Sequence, residues 1–278
     1  PIVWFGTKEQ KEKYLPKITT GEIICAYGLT EPSAGSDALA GKTTADLTED
    51  GKHYILNGEK IFITNGGWAD IFIVFAQVDG NRFSAFIVEK DTEGFSVGAE
   101  EKKMGMKGSS TTSLIFQNAK VPAENILYKV GKGATIAFNV LNIGRFKLGA
   151  SSVGGSKNGI EAAAQYALER RAFGQPISKF DAIIKKIADM TVRTFSADSM
   201  VYRTIGLLQN EIDSLDKSDP EYYFHVGEAM EKFAIETSMT KVFGSETSHF
   251  VVNEGLQILG GNGFLEEFPM ASAYRDDR

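Results

Sequence analysis

Over residues 22–121 the apolar positions come in short runs, and after Pro122 they come at helical spacing. The runs are 23–29, 54–56, 61–64, 71–78, 83–88 and 113–116. They are rich in β-branched and aromatic residues, which suit a pleated, half-buried surface. Asp50-Gly51, Asn57-Gly58, Asn65-Gly66-Gly67 and Asp79-Gly80 mark turns between them. Asn57-Gly58 separates two runs and predicts a tight hairpin, because both residues tolerate positive φ. Short strands with no helix between them predict a small antiparallel β-barrel or sandwich over residues 22–125.

The remainder, residues 130–278, predicts a long antiparallel helical bundle, which makes the chain α+β and multi-domain. Glycines at 131 and 133 open a helical stretch in which Ile136, Val140, Ile143 and Lys147 share one stripe and Ala137, Leu141, Gly144 and Leu148 the next. Gly144, Gly149, Gly154 and Gly155 lower helix propensity there, and close packing of helix on helix accounts for them. After a break at 170–176, Ile184, Ile187, Thr191, Phe195, Tyr202 and Ile205 follow helical spacing and predict the buried face of a second helix. Residues 210–219 form a polar, acidic connector. Ser218-Asp219-Pro220-Glu221 has the pattern of a helix start. A third helix is predicted from there to Ile258, ending at Gly260-Gly261 in a left-handed cap. Three long antiparallel helices supply most of an up-and-down bundle.

Composition narrows the function classes. The chain has 278 residues, 30 Lys+Arg against 36 Asp+Glu, and a net charge of -6 with no basic cluster, which argues against a nucleic-acid surface. Cys25 is the single cysteine, so neither an internal disulfide framework nor a cysteine-rich metal site is available. No apolar run approaches the ~18 residues that span a bilayer. The N-terminal Pro1-Ile2-Val3-Trp4 is neither a Met start nor a signal peptide, and the chain reads as part of something longer.

The most distinctive stretch is Tyr27-Gly28-Leu29-Thr30-Glu31-Pro32-Ser33-Ala34-Gly35-Ser36-Asp37. It starts on a strand and ends in a Gly/Ser loop, whose amides and hydroxyls can hold phosphate or a polar ring; a plain strand followed by a turn reads equally well from these residues alone. The stretch resembles the T-E-P-x-[AS]-G-S-D signature of the acyl-CoA dehydrogenases. Phe62-Ile63-Thr64-Asn65-Gly66-Gly67 is similar to that family's [WF]-I-T-N-G-G segment, and Arg170-Arg171-Ala172-Phe173-Gly174-Gln175-Pro176-Ile177 to its E-R-x-x-F-G-x-x-I element. Gln257-Ile258-Leu259-Gly260-Gly261-Asn262-Gly263-Phe264 resembles its Q-[IV]-x-G-G-x-G-[FY] segment, and Tyr274-Arg275-Asp276 its Arg-Asp close. Five elements in order cover nearly the whole chain. The segment from Glu100 to Lys107 and Leu141-Asn142-Ile143-Gly144-Arg145-Phe146 look most like the very-long-chain branch, and the acidic connector like its longer bacterial members.

The resemblance implies FAD as cofactor, a fatty acyl-CoA thioester (long-chain) as substrate, and α,β-dehydrogenation to the trans-2-enoyl-CoA in β-oxidation. It implies that Tyr27, Leu29, Thr30, Phe62, Ile63 and Thr64 line the flavin, with Phe62 on the isoalloxazine where most relatives have Trp and Thr64 near N5. Gly35 and Ser36 would sit by the pyrophosphate and the CoA thioester arm, and Asn142 and Arg145 near the CoA and acyl chain. Arg170 and Phe173 would reach a neighbouring subunit's FAD, and Gln257, Gly260 and Gly261 its adenosine diphosphate part. A homodimer or homotetramer with shared FAD sites follows, with electron-transfer flavoprotein as acceptor. No metal is implied. Residues 1–21 would be the tail of an N-terminal helical domain. Gly144 stands where one branch carries its catalytic Glu, so the base is expected beyond Arg278. The same resemblance places the protein in bacterial cytoplasm or mitochondrial matrix, with peripheral membrane association in the long-chain branch. The alternatives are an acyl-CoA oxidase, a catalytically silent relative acting in assembly or binding, and the family's DNA-binding offshoot, which the charge disfavours.

Overall fold

The computed structural model describes residues 1–277, which form two compact units: 1–103 with 107–140, and 104–106 with the chain from 141 onward.

The first unit opens with helices α1 (Ile2–Phe5) and α2 (Lys8–Thr20). A capping box starts α2: Gln10 N donates to Thr7 Oγ1 at 3.2 Å and Thr7 N to Gln10 Oε1 at 3.1 Å. Buried Gln10 also donates to the carbonyls of Glu124 and Ile126, at 2.8 and 2.9 Å, and the Tyr14 hydroxyl donates to Glu89 Oε1 at 2.7 Å. Residues 1–21 therefore pack as part of the sheet's own unit.

The sheet has eight strands: β1 (Cys25–Gly28), β2 (Thr44–Leu47), β3 (His53–Thr64), β4 (Ile71–Val78), β5 (Arg82–Glu89), β6 (Phe95–Val97), β7 (Thr111–Pro122) and β8 (Ile126–Leu127). Their order is β6-β7-β3-β2-β4-β5-β8, with β1 also on β4. β1 and β2 share one edge of β4 and both run parallel to it, β1 against Ile71–Val74 and β2 against Gln77 and Val78. The sheet is thus mixed, where the sequence predicts an antiparallel one. β4 and β5 are buried along almost their whole length, as near-continuous apolar runs require. Phe72, Val74, Phe86, Leu56 and Leu114 form the centre of the core.

β3 is one continuous strand, so Asn57-Gly58 is not a hairpin turn. It is the first of two β-bulges, at Leu56/Gly58 and at Lys60/Ile63. Gly58 takes φ +147°, and a methyl there would stand 2.6 Å from Thr43 Oγ1 and 2.8 Å from Thr43 Cα. The dipeptide that closes hairpins here serves a bulge, because β7 pairs with β3 on both sides of it.

The second unit contains α3 (Gly133–Glu169), whose first turns belong to the first unit, then α4 (Asp181–Asp213), α5 (Tyr222–Lys232), α6 (Ala234–Leu259) and α7 (Pro269–Asp276). A small hairpin, β9 (Arg171–Ala172) with β10 (Gln175–Pro176), lies between α3 and α4. The third predicted helix is two, broken at Phe233, and the predicted capping box is absent: Asp219 Oδ1 accepts from Glu221 N at 2.7 Å instead. α4 turns a different face inward from the predicted one. Met190, Thr194, Ala197, Val201, Thr204 and Leu208 are buried, whereas Phe195 and Tyr202 are 72% and 66% exposed. Small residues let helix backbones approach, and the same logic holds at Gly149, where a methyl would meet Thr240 O of α6 at 2.9 Å. Gly144 and Gly154 have open space instead, so close packing does not account for them. Among the described residues no helix is long and apolar enough to cross a membrane.

Candidate functional site

In the first unit the site residues gather around the exit of β1 and the end of β3. Glu31-Pro32-Ser33-Ala34 closes a tight turn, with Glu31 N to Ala34 O and Ala34 N to Glu31 O both 3.1 Å. Proline suits the second position of such a turn. The turn leaves Gly35 and Ser36 exposed. Ile61 N donates to Thr30 O at 2.9 Å, which ties the β1 exit to β3 immediately before Phe62.

Phe62 sits in the second bulge with φ +59°, a left-handed conformation that is costly for an aromatic residue, and its ring is 62% exposed. A strained backbone that presents an apolar ring to solvent marks a functional surface, and bulges commonly re-aim one side chain in this way. Thr64, two residues on, is also exposed. Ile63 between them is 2% exposed and packs in the core, so its side chain offers no ligand surface. Leu29 is buried as well. The Tyr27 ring packs edge-on against Phe75 with centroids 5.2 Å apart, and burial pushes its phenol well above the ordinary range.

The strand end is fixed from the other side by residues that carry no obvious signal. Asn65 N donates to Ser110 O at 3.0 Å and Gly67 N to Ser110 Oγ at 2.9 Å. Ser110 Oγ in turn donates to Glu100 Oε1 at 2.6 Å. A methyl on Gly66 would overlap Thr112 Oγ1, and one on Gly67 would lie 2.6 Å from Glu100 Oε1. The Asn-Gly-Gly run is therefore a close approach of loop to β7.

Below Thr30 lies a buried ion pair. Lys60 Nζ donates to Glu31 Oε1 at 2.5 Å, with the two side chains 0% and 5% exposed. The carboxylate also accepts from the amides of Lys42 at 2.6 Å and Thr43 at 3.1 Å. Burial alone raises the Glu31 carboxyl, but the hydrogen bonds from Lys60, Thr43 and Lys42 more than offset it and hold it below the ordinary range.

The second unit gathers the other candidates. Arg170, Gly260 and Gly261 line one cavity of about 370 Å³, together with Tyr166, Ile177 and Asn262. Asn262 Nδ2 donates to Tyr166 Oη at 3.0 Å, a contact not legible in the sequence. Gly260 has φ +59° and ψ -134°, a region open only to glycine and not the left-handed helical cap the sequence predicts. A methyl on Gly263 would overlap Leu256 O. Gln257 is exposed on the last turn of α6. Phe173 and Gly174 form the tip of the β9–β10 hairpin with φ of +51° and +81°, and Phe173 is 96% exposed. Its ring meets only Phe180 edge-on, with centroids 6.1 Å apart, so it is a second strained, outward-pointing aromatic. Arg171 Nη2 donates to Gly174 O at 2.8 Å and braces that tip.

Asn142 is only 4% exposed, and its Oδ1 accepts from Arg145 Nη1 at 3.0 Å. Its side chain holds Arg145 and offers little surface of its own. Gly105 and Met106 lie in this unit against the end of α7: Met106 N donates to Asp276 Oδ1 at 2.6 Å, and a methyl on Gly105 would overlap Arg275 O. Among the described residues no group of His, Cys, Asp and Glu is placed to hold a metal ion.

Comparison with known proteins shows the family. Residues 26–119 match the acyl-CoA dehydrogenase middle domain and residues 131–278 the acyl-CoA dehydrogenase C-terminal domain. The chain is 52% identical to a probable acyl-CoA dehydrogenase of Bacillus subtilis over 100% of its own length and 47% of that protein's. It is 40% identical to the mitochondrial very long-chain specific acyl-CoA dehydrogenase of Macaca fascicularis, over 100% of its length and 41% of that protein's. The crystal structure of a Bacillus anthracis acyl-CoA dehydrogenase complexed with FAD superposes with a TM-score of 0.97 at 53% identity, over 100% of this chain and 49% of that one. The chain spans about half the length of these relatives. It is a member of the acyl-CoA dehydrogenase family, matching both its middle and its C-terminal domain.

Proposed function

We propose that this chain carries the flavin- and thioester-binding part of an FAD-dependent dehydrogenase that converts a long-chain acyl-CoA to its trans-2-enoyl product. The observation that carries the reading is Phe62, an exposed aromatic in a strained bulge, with the exposed Thr64 beside it. Such a ring is a platform for a flat aromatic cofactor. The residues fit FAD: an apolar ring face with a hydroxyl donor in the first unit, and in the second a cation, Arg170, beside a glycine-only loop suited to a diphosphate.

When bound, FAD would supply the hydride acceptor. Thr64 would offer its hydroxyl to the reacting edge of the ring, and Thr30 would hold its pyrimidine end. Gly35 and Ser36 lie open for the pyrophosphate and the thioester arm. Arg170 and the strained Phe173 tip project from their unit and suit the FAD of a neighbouring subunit in a homodimer or homotetramer. Arg145, held by Asn142, is offered to the CoA. No carboxylate takes the place of a base at Gly144, so the proton acceptor is assigned to sequence outside this chain. Electron-transfer flavoprotein is the proposed acceptor. The long-chain assignment draws support from the very long-chain specific relative.

The test is anaerobic titration of the purified gene product, including whatever sequence flanks these residues, with palmitoyl-CoA and butyryl-CoA. Loss of visible flavin absorbance with palmitoyl-CoA at lower concentration is expected. A flavoprotein that no acyl-CoA bleaches would contradict the reading, and a preference for butyryl-CoA would overturn the chain-length part.

A further inference from the structure

We propose that the buried Glu31–Lys60 pair is a positioning device that holds the two flavin-facing segments of the first unit in register. The proposal rests on the flavin reading above.

Glu31 is the residue directly after Thr30, and Lys60 lies two residues before Phe62. Two separate stretches converge on the Glu31 carboxylate: the amides of Lys42 and Thr43 on the segment entering β2, and the ammonium of Lys60 on β3. Lys60 Nζ also reaches Leu29 O at 3.4 Å, on the same β1 exit. The stem of Lys60 passes beside Gly28, where an added methyl would lie 3.6 Å from Cγ and 3.1 Å from Leu114 Cδ1. Gly41 is shaped by the same group, since a methyl there would stand 2.9 Å from Glu31 Oε1. The pair thus ties β3 to the β1 exit at Leu29 and Glu31, and both to the segment entering β2.

The placement matters because β3 needs an anchor just there. The bulge between Lys60 and Ile63 interrupts pairing with β7 and leaves Phe62 in positive φ. A strained conformation persists only when its surroundings over-determine it. The Ile61 N to Thr30 O bond and the bonds of Lys60 to Glu31 and Leu29 O tie β3 to the β1 exit at that gap. A buried ion pair is weak as a stabiliser relative to apolar residues of the same volume, and its better-attested use is to specify one arrangement. Charge here fixes register: carboxylate and ammonium at this separation tolerate only one relative placement of Thr30 and Phe62.

The experiment uses the purified gene product with its flanking sequence, stripped of flavin and reconstituted. The Glu31→Gln/Lys60→Met double variant removes both charges together and leaves no lone buried ion. Lys60→Arg keeps the charge but moves the head group, and covers the case in which the double variant fails to fold. Leu127→Ala, in the same unit but away from these segments, is the control for general destabilisation. FAD affinity is read from fluorescence quenching and flavin orientation from visible circular dichroism, beside the thermal midpoint of the apoprotein. A folded double variant, or Lys60→Arg, is expected to lose tenfold or more in FAD affinity and to change the visible dichroism, while Leu127→Ala keeps the native affinity and spectrum. Native affinity and dichroism in the folded variants would overturn the proposal. An equal loss in the Leu127→Ala control would overturn it too, by reducing the effect to stability. A native protein that binds no FAD would instead overturn the flavin reading itself.

Discussion

Replacing Phe62 by glycine separates a structural role from a ligand-facing one. In a strand interior, Phe→Ala or Phe→Gly at a buried site costs about 3–5 kcal/mol, from lost transfer energy and the cavity left behind. Phe62 differs on both counts: it is 62% exposed, and its φ is +59°. With about a third of its surface buried, removing the ring forfeits roughly 1 kcal/mol of the ~1.5–3 that full burial supplies. Glycine adds an unfolded-state entropy cost of about 0.5–1 kcal/mol. Against these, the left-handed backbone relaxes by about 1–2 kcal/mol once the Cβ is gone. The terms nearly cancel, and Phe62→Gly is expected to lie within about 1 kcal/mol of native stability. Phe86→Ala, at a position 0% exposed, serves as the buried comparison and should lose the full ~3–5 kcal/mol. Urea unfolding of the apoproteins measures both. FAD affinity is expected to move the opposite way, with Phe62→Gly losing at least tenfold. A Phe62→Gly loss comparable to that of Phe86→Ala would refute the reasoning, because the ring would then be holding the sheet together.

Further outcomes follow from the same geometry. Thr64→Ala removes one hydroxyl and should slow flavin reduction by acyl-CoA by up to about a hundredfold while leaving acyl-CoA affinity close to native; unchanged reduction in stopped-flow would remove Thr64 from N5. Gly105→Ala forces a methyl into Arg275 O and should destabilise the helical unit far more than Gly154→Ala, where space is open; equal thermal midpoints would contradict this. Docking of α2 should depend on acid. Hydrogen bonds from Lys13 and then Tyr14 hold the Glu89 carboxyl below its ordinary range, so this contribution is present above the unfolded-state value and is lost as pH falls through the folded one. Amide exchange in α2 should therefore rise at low pH, and Glu89→Gln should abolish that pH step; an unchanged step would assign it to another group.

The sequence made the main division legible for a simple reason. Period-two runs and 3.6-residue stripes are properties of single segments, and each survives in the structure as β4, β5 or a long helix. What it concealed was everything decided between segments. Asn57-Gly58 has the chemistry of a hairpin turn, but β7 pairs on both sides of it and makes it a bulge. The large apolar residues of α4 at 195 and 202 promised a buried face, yet the interior takes Met190, Thr194, Ala197, Val201, Thr204 and Leu208, a face set by how the helix lies on its neighbours. Of the site residues, Phe62 and Arg170 were found by motif, while the strain at Phe62 and the cavity shared by Arg170 with Gly260 are visible only in three dimensions. Glu31 stands in a motif that by itself shows no role for it, since its partner Lys60 lies far along the chain. Gly105 and Asp276 likewise belong to two motifs that the sequence keeps apart and the fold joins.

The most direct test of the central claim is cofactor content. The gene product, purified and denatured, should release FAD in a ratio near one per chain by chromatography and absorbance. The apoprotein should rebind FAD and discriminate strongly against FMN if, as proposed, Arg170 and the Gly260-Gly261 loop hold the adenosine diphosphate half. A colourless protein that cannot be reconstituted with FAD, or one that takes FMN equally well, would contradict the account.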